Sequence, residues 1–114
     1  RLYRGHALCE QFHSEFKTDL DLERLPSGKF DTNDLVMAFA VLAYNLLRWM
    51  GLRGLMGKQA PIRHPAKRRR LRTVMQELIY LAARVVRSAR QLTLRFSQHC
   101  PGFKAFRKLH AEFP

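Results

Sequence analysis

Leu8, Phe12, Phe16 and Leu20 recur every four positions, with Cys9 beside them, which predicts one apolar stripe of an amphipathic helix from Gly5 to about Leu20. His6, Glu10, His13 and Lys17 are spaced by four, three and four and fall on a different face, so the helix would hold Glu10 away from the core that anchors it. Glu15, Asp19, Asp21 and Glu23 read as a solvated acidic edge, and Glu15, about 140° round the helix from Glu10, is expected to tolerate alanine. Leu22 to Phe30 is a connector in which Pro26-Ser27-Gly28 forms a turn cluster that Leu25 and Phe30 can pin down. Asp31 or Thr32 can cap the next helix, with Asp34 in its first turn to suit the macrodipole. From Leu35 to Leu47 only Asn45 interrupts thirteen apolar or aromatic positions. That run is too short to span a bilayer at about 1.5 Å per residue, so it reads as a helix buried nearly all round, ending near Gly51 or Gly54.

Pro61 and Pro65 mark Gly57 to Ala66 as a loop. Lys67-Arg68-Arg69-Arg70 with Arg72 then opens another helical pattern, with Leu71, Val74, Met75, Leu78 and Ile79 on its inner face. Beyond about Ala82 two readings compete. Arg84, Arg87 and Arg90 can continue the helix, whereas Leu92, Leu94 and Phe96 alternate with Thr93, Arg95 and Ser97 as in a half-buried strand. The alternation favours a short hairpin, roughly 83–88 paired with 91–97. Pro101-Gly102 breaks the chain, and Phe103, Phe106, Leu109 and Phe113 make a last short helix. Tyr44, Asn45 and Trp49 suit a core better than a site. The expected fold is mainly α with one short β-hairpin.

Composition adds a direction to this picture. The 114 residues carry 21 Lys plus Arg against 9 Asp plus Glu, unevenly placed: residues 1–34 hold seven acids and five bases, residues 35–114 the other sixteen bases with only Glu77 and Glu112. A net +14 over that second stretch favours a polyanion partner, because neutralised phosphates release condensed counterions. With 46% hydrophobic residues the chain can bury a core, and disorder is excluded. Cys9 and Cys100 form no CxxC pair and no secretory segment opens the chain, so two free thiols in a reducing cytosol are expected, each a small buried hydrophobe. Arg1 leads straight into a patterned segment, as though the edge were cut from something larger with surface built to meet it.

Tyr3-Arg4, Glu10-Gln11-Phe12-His13-Ser14-Glu15-Phe16-Lys17, Leu22-Glu23-Arg24-Leu25-Pro26-Ser27-Gly28 and Ala43-Tyr44-Asn45-Leu46 carry a resemblance. Together they resemble the carboxy-terminal part of insertion-sequence transposases with a DDE catalytic domain, and Glu10 with Lys17 seven positions on matches the Glu and Lys of their Tyr-Arg-Glu-Lys signature. Five residues separate Arg4 from Glu10 where the signature has three. The resemblance implies an RNase H-like α/β domain in which two Asp and one Glu hold two divalent ions, Mg2+ or Mn2+, for phosphodiester cleavage and strand transfer at transposon-end DNA. Residues 1–30 would then end the catalytic domain, and 31–114 would form a basic helical region. Glu10 would be the third metal ligand, and the chain alone would be inactive without the missing amino-terminal part and its two Asp. Paired hard cations suit such chemistry because they activate the nucleophile and steady the leaving oxygen, and carboxylates are their ligands. Lys17, about two turns beyond Glu10, would reach a neighbouring phosphate as a point charge. Arg4, Lys67, Arg68, Arg69, Arg70 and Arg72 are the further candidate DNA contacts. A bacterial, nucleoid-associated location follows from the same resemblance.

Other readings stay open. His6, Glu10 and His13 have a spacing that invites zinc, although three ligands on one solvent-facing helix are a weak signal. Lys67–Arg70 is equally a solvated helix start. The main rival is a non-catalytic basic helical module that binds nucleic acid; a membrane-surface protein is disfavoured because the longest apolar segment lacks a basic face.

Overall fold

A computed structural model describes residues 9–57, 68–97 and 99–112. Helix α1 covers residues 9–19, and its last turn, Glu15–Asp19, widens into a π turn closed by the Leu20 N–H donating to the Glu15 carbonyl at 3.1 Å. Asp21 then takes a left-handed conformation (φ 55), which a short polar side chain tolerates, and the chain reverses. The connector is pinned by polar groups rather than by Leu25 and Phe30, which stay exposed. Asn33 Nδ2 donates to the Ser27 carbonyl at 2.7 Å, the Ser27 N–H donates back to Asn33 Oδ1, and the Lys29 N–H donates to Ser27 Oγ.

Helix α2 runs Phe30–Gly54, so it starts before Asp31 and Thr32; Lys29 is its extended N-cap, without a side-chain cap, and Asp31 supplies the first-turn acid. The sequence-based expectation of burial nearly all round does not hold. One face, carrying Tyr44, Leu47, Gly51 and Gly54, meets the rest of the protein, while Leu35, Phe39, Leu42 and Leu46, spaced by four, three and four, form an open stripe in which Phe39 is 62% exposed. At 25 residues the helix is also longer than the thirteen-residue run, long and apolar enough by length and composition alone to cross a membrane. The radius of gyration, 17.2 Å, exceeds the roughly 13 Å of a compact domain this size, in keeping with apolar faces left uncovered.

Leu71–Val74 forms α3, which passes into a second π turn, Met75–Ile79, closed by the Tyr80 N–H on the Met75 carbonyl at 2.8 Å. Leu71, Val74 and Leu78 are buried as their spacing predicts, but the wider turn rotates Ile79 out to half exposure. Strands β1 (Ala83–Ser88) and β2 (Gln91–Phe96) pair antiparallel, joined by Ala89 and Arg90, with Ala89 in the positive-φ conformation (φ 52) that a two-residue hairpin turn requires. The hairpin expected from the alternation is present, one residue shorter at its end. Its apolar face is not half-buried: Leu92 is 72% exposed, and only Phe96 is anchored, its ring centroid 5.1 Å from Phe103 and 5.4 Å from Phe106. Helix α4, Phe103–Glu112, closes the core through Ala105 and Leu109.

That core joins Leu55, Val74, Leu78, Ala105 and Leu109, with Leu47, Trp49, Met50 and Phe106 packed around it. Glycines permit the close approach of its elements. A Cβ at Gly51 would lie 2.7 Å from Val74 Cγ2, and one at Gly54 2.8 Å from Leu109 Cδ1. A Cβ at Gly102 would strike the Glu77 backbone carbonyl, which cannot swing aside as a side chain can. Gly102→Ala should therefore destabilise the fold by about 2 kcal/mol or more, read from urea unfolding, while Gly28→Ala, with open space around it, should be close to neutral.

Candidate catalytic helix

Each turn of α1 presents two faces with different fates. At about 100° per residue, Phe12, Glu15, Phe16 and Asp19 cluster within roughly one third of the helix circumference, so both acids lie beside the apolar stripe, whereas Glu10, His13 and Lys17 project from the far side. Glu10, His13 and Lys17 are all exposed, and Phe12 and Phe16 turn inward. Phe16 stacks on Tyr44 of α2 with centroids 4.6 Å apart, and Phe12 meets the same ring edge-on at 6.2 Å.

Glu15 is the main departure from the sequence reading, since the expected solvated acid is 1% exposed. Its Oε2 accepts from Tyr44 Oη at 3.2 Å and from Arg68 Nη1 at 3.0 Å, and its Oε1 accepts from the Leu71 N–H at 3.3 Å. Asp19, also expected to be solvated, has a fully buried side chain and accepts from Arg70 Nε at 2.9 Å and from the Arg72 N–H at 3.2 Å. The two carboxylates thereby satisfy the first free N–H groups of α3 across more than fifty residues of sequence and place negative charge at its positive end. Asp19 raises the pKa of the Arg70 guanidinium, through the hydrogen bond first and through charge second. Asp21 and Glu23 are exposed, as expected.

This arrangement changes the role of the arginine run. Arg68 binds Glu15, donates to Gln11 Oε1 at 3.0 Å and sits 4.8 Å from the Phe12 ring centroid. Arg48 approaches the same ring to 4.9 Å and donates to Tyr44 Oη at 3.3 Å. Arg69 Nε donates to the Leu55 carbonyl, and Arg70 also donates to Ser14 Oγ. Three of the six candidate DNA-contacting basic groups beyond Lys17 are therefore built into the fold, each holding α1 or the end of α2. Arg72 keeps an exposed side chain, and Arg4 and Lys67 lie outside the described residues, as does His6 of the zinc reading. Among the described residues no group of three His, Cys, Asp or Glu is placed to hold a metal ion. Cys9 is exposed and Cys100 half-buried, both as free thiols, so the expectation of two buried cysteines fails for Cys9.

Helix α1 is thus anchored by buried carboxylates on one side and carries exposed Glu10 and Lys17, about two turns apart, on the other. The sequence profile described as Transposase DDE domain group 1 matches residues 1–114, the whole chain, and the chain belongs to that family. Neither a curated protein nor a solved structure matches it.

Proposed function

We propose that this chain is the carboxy-terminal part of a transposase that cuts and rejoins phosphodiester bonds at transposon-end DNA, with Glu10 as the third catalytic acid and Lys17 as a phosphate contact. The observation that supports the reading best is the exposure of Glu10 on a helix fixed from behind by Glu15 and Asp19. A metal ligand must be held in place by its scaffold and still be open to the substrate, and an exposed Glu10 on an anchored helix suits that role. Residues 1–30 would close the catalytic domain, and the open stripe of Leu35, Phe39, Leu42 and Leu46 on α2 would be covered by the remainder of that domain, with no membrane involved.

Among the described residues the donors do not by themselves make a metal site, since Glu10 alone is too few for a divalent ion. In the proposed protein, Mg2+ or Mn2+ would be held by Glu10 together with two Asp from elsewhere in the polypeptide. What this chain's own residues contribute is a positioned carboxylate and, at Lys17, a positive charge near a phosphate.

The reading gives a direct expectation for the chain alone. Incubated with supercoiled plasmid and Mg2+ or Mn2+, residues 1–114 should produce no nicking above a metal-free control. Metal-dependent nicking that vanishes in Glu10→Ala would show that the chain is catalytically complete and would overturn the fragment reading.

A further inference from the structure

The hairpin β1–β2 concentrates charge in a way that the fold itself does not use. In its register Arg84 stands directly opposite Arg95, with Val86↔Thr93 and Ser88↔Gln91 on the same face, while Ala83, Val85, Leu92, Leu94 and Phe96 share the other face with Arg87. Residues facing each other across antiparallel strands have Cβ atoms about 5 Å apart, and like charges there destabilise the pair. Residues 83–96 contain four arginines, Arg84, Arg87, Arg90 and Arg95, and no acid. Among the described residues no ion pair or side-chain hydrogen bond engages any of the four, in contrast to Arg68 and Arg70, which are tied to Glu15 and Asp19. An open hollow of about 550 Å³ at the tip is lined by Arg87, Ala89, Arg90, Gln91 and Leu92, again without an acid.

We propose that the hairpin is a DNA-contact element, laying its Arg84/Arg95 face on the phosphate backbone of duplex DNA with Arg87 and Arg90 reaching over the tip. This rests on the transposase reading and assigns a contact surface to it. Six-residue strands make a ribbon about 20 Å long, and the major groove of B-DNA, about 12 Å wide, admits a two-stranded ribbon. A facing arginine pair that repels itself in water gains when each member meets a phosphate of its own, since each charge then faces an opposite one at short range. Phe96, held against Phe103 and Phe106, fixes the base of the ribbon, so the arginine face is presented in one orientation. The duplex is favoured over an anionic lipid surface because Arg87 stands on the apolar face, opposite Leu92 and beside Val85 and Leu94, where its charge opposes burial of that face among acyl chains.

The test measures the affinity of the 114-residue chain for a random-sequence duplex as a function of salt, alongside its thermal stability. Each phosphate contact adds about 0.9 to the slope of log affinity against log salt, which corresponds to about 8-fold in affinity at about 0.1 M salt. Arg84→Gln with Arg95→Gln should lower the slope by about 1.8 and the affinity about 60-fold, without lowering the melting temperature. The single change Arg95→Glu, which places opposite charges face to face, should raise or preserve the melting temperature while weakening DNA binding still further. If the unmodified chain binds with a steep slope and both variants keep it, the hairpin assignment fails and the transposase reading stands. An unmodified chain that binds no duplex would sink both together. Stronger binding to vesicles of phosphatidylcholine and phosphatidylserine than to duplex, lost in the double variant, would overturn the assignment in favour of a membrane surface.

Discussion

Replacing Glu15 by Ala should cost this chain about 3 kcal/mol of folding stability and lower its melting temperature by more than about 10 °C. The side chain is 1% exposed and accepts three hydrogen bonds, from Tyr44 Oη, Arg68 Nη1 and the Leu71 N–H. Its removal leaves the hydroxyl and the N–H without their acceptor inside the protein, and the guanidinium without its counter-ion. Removing one partner of a buried pair typically costs about 3–5 kcal/mol, and the lower end applies because Arg68, whose side chain is 18% exposed, can turn toward water. Glu15→Gln should be milder, because the amide oxygen can still accept from one or two of the donors. Glu10→Ala, at an exposed position, should stay within about 0.5 kcal/mol of the original in the same thermal melt. Equal melting temperatures for the two alanine variants would contradict the assignment of Glu15 as the anchor of α1.

That contrast reverses the expectation drawn from spacing, and the reason is physical. Reading a stripe from apolar residues alone finds Phe12 and Phe16 but passes over Glu15 and Asp19, which complete the same face at three-residue steps. Acids at such positions read as solvent-facing unless their partners are known, and here the partners stand more than fifty residues away in the arginine run. The pairing of Arg68 and Arg70 was hidden for the same reason: a local run of charge reads as a phosphate clamp or a solvated helix start, whereas Arg68 and Arg70 are held by Glu15 and Asp19. The π turns were equally hidden, because an inserted residue leaves the apolar spacing almost intact until a position such as Ile79 is found turned outward. The exposed stripe of α2 escaped because a run of thirteen apolar positions says that a helix will be covered without saying by what.

Where short-range pattern decides, the sequence was informative. Alternation of Leu92, Leu94 and Phe96 with polar residues led to the hairpin, and Gly51 and Gly54 marked the end of α2, each at a place where the next element comes too close for a side chain. The outward placement of Glu10 was also legible, since His13 and Lys17 accompany it at helical spacing and are exposed with it. Its chemical role was not legible from pattern. A lone carboxylate on an exposed helix face has no local feature that separates a ligand from a solvated side chain, and only the family resemblance singles it out.

The role proposed for Glu10 therefore carries the largest expected effect. A ligand to catalytic divalent ions supports charge that develops at the attacking and leaving oxygens, an effect worth several kcal/mol in the transition state. Removing it should cost on the order of 10³-fold or more in cleavage rate, equivalent to about 4 kcal/mol. DNA affinity should change little, because in the proposed protein binding would rest on phosphate contacts made by basic groups, and Glu10 would make none of them. The most direct measurement is the cleavage of transposon-end DNA by the complete transposase carrying Glu10→Ala, with duplex affinity and melting temperature determined on the same preparation. Near-complete loss of cleavage, with affinity within about 2-fold and an unchanged melting temperature, is the predicted result. Cleavage at the unmodified rate would contradict the assignment of Glu10 and leave the basic nucleic-acid-binding module as the better account of this chain.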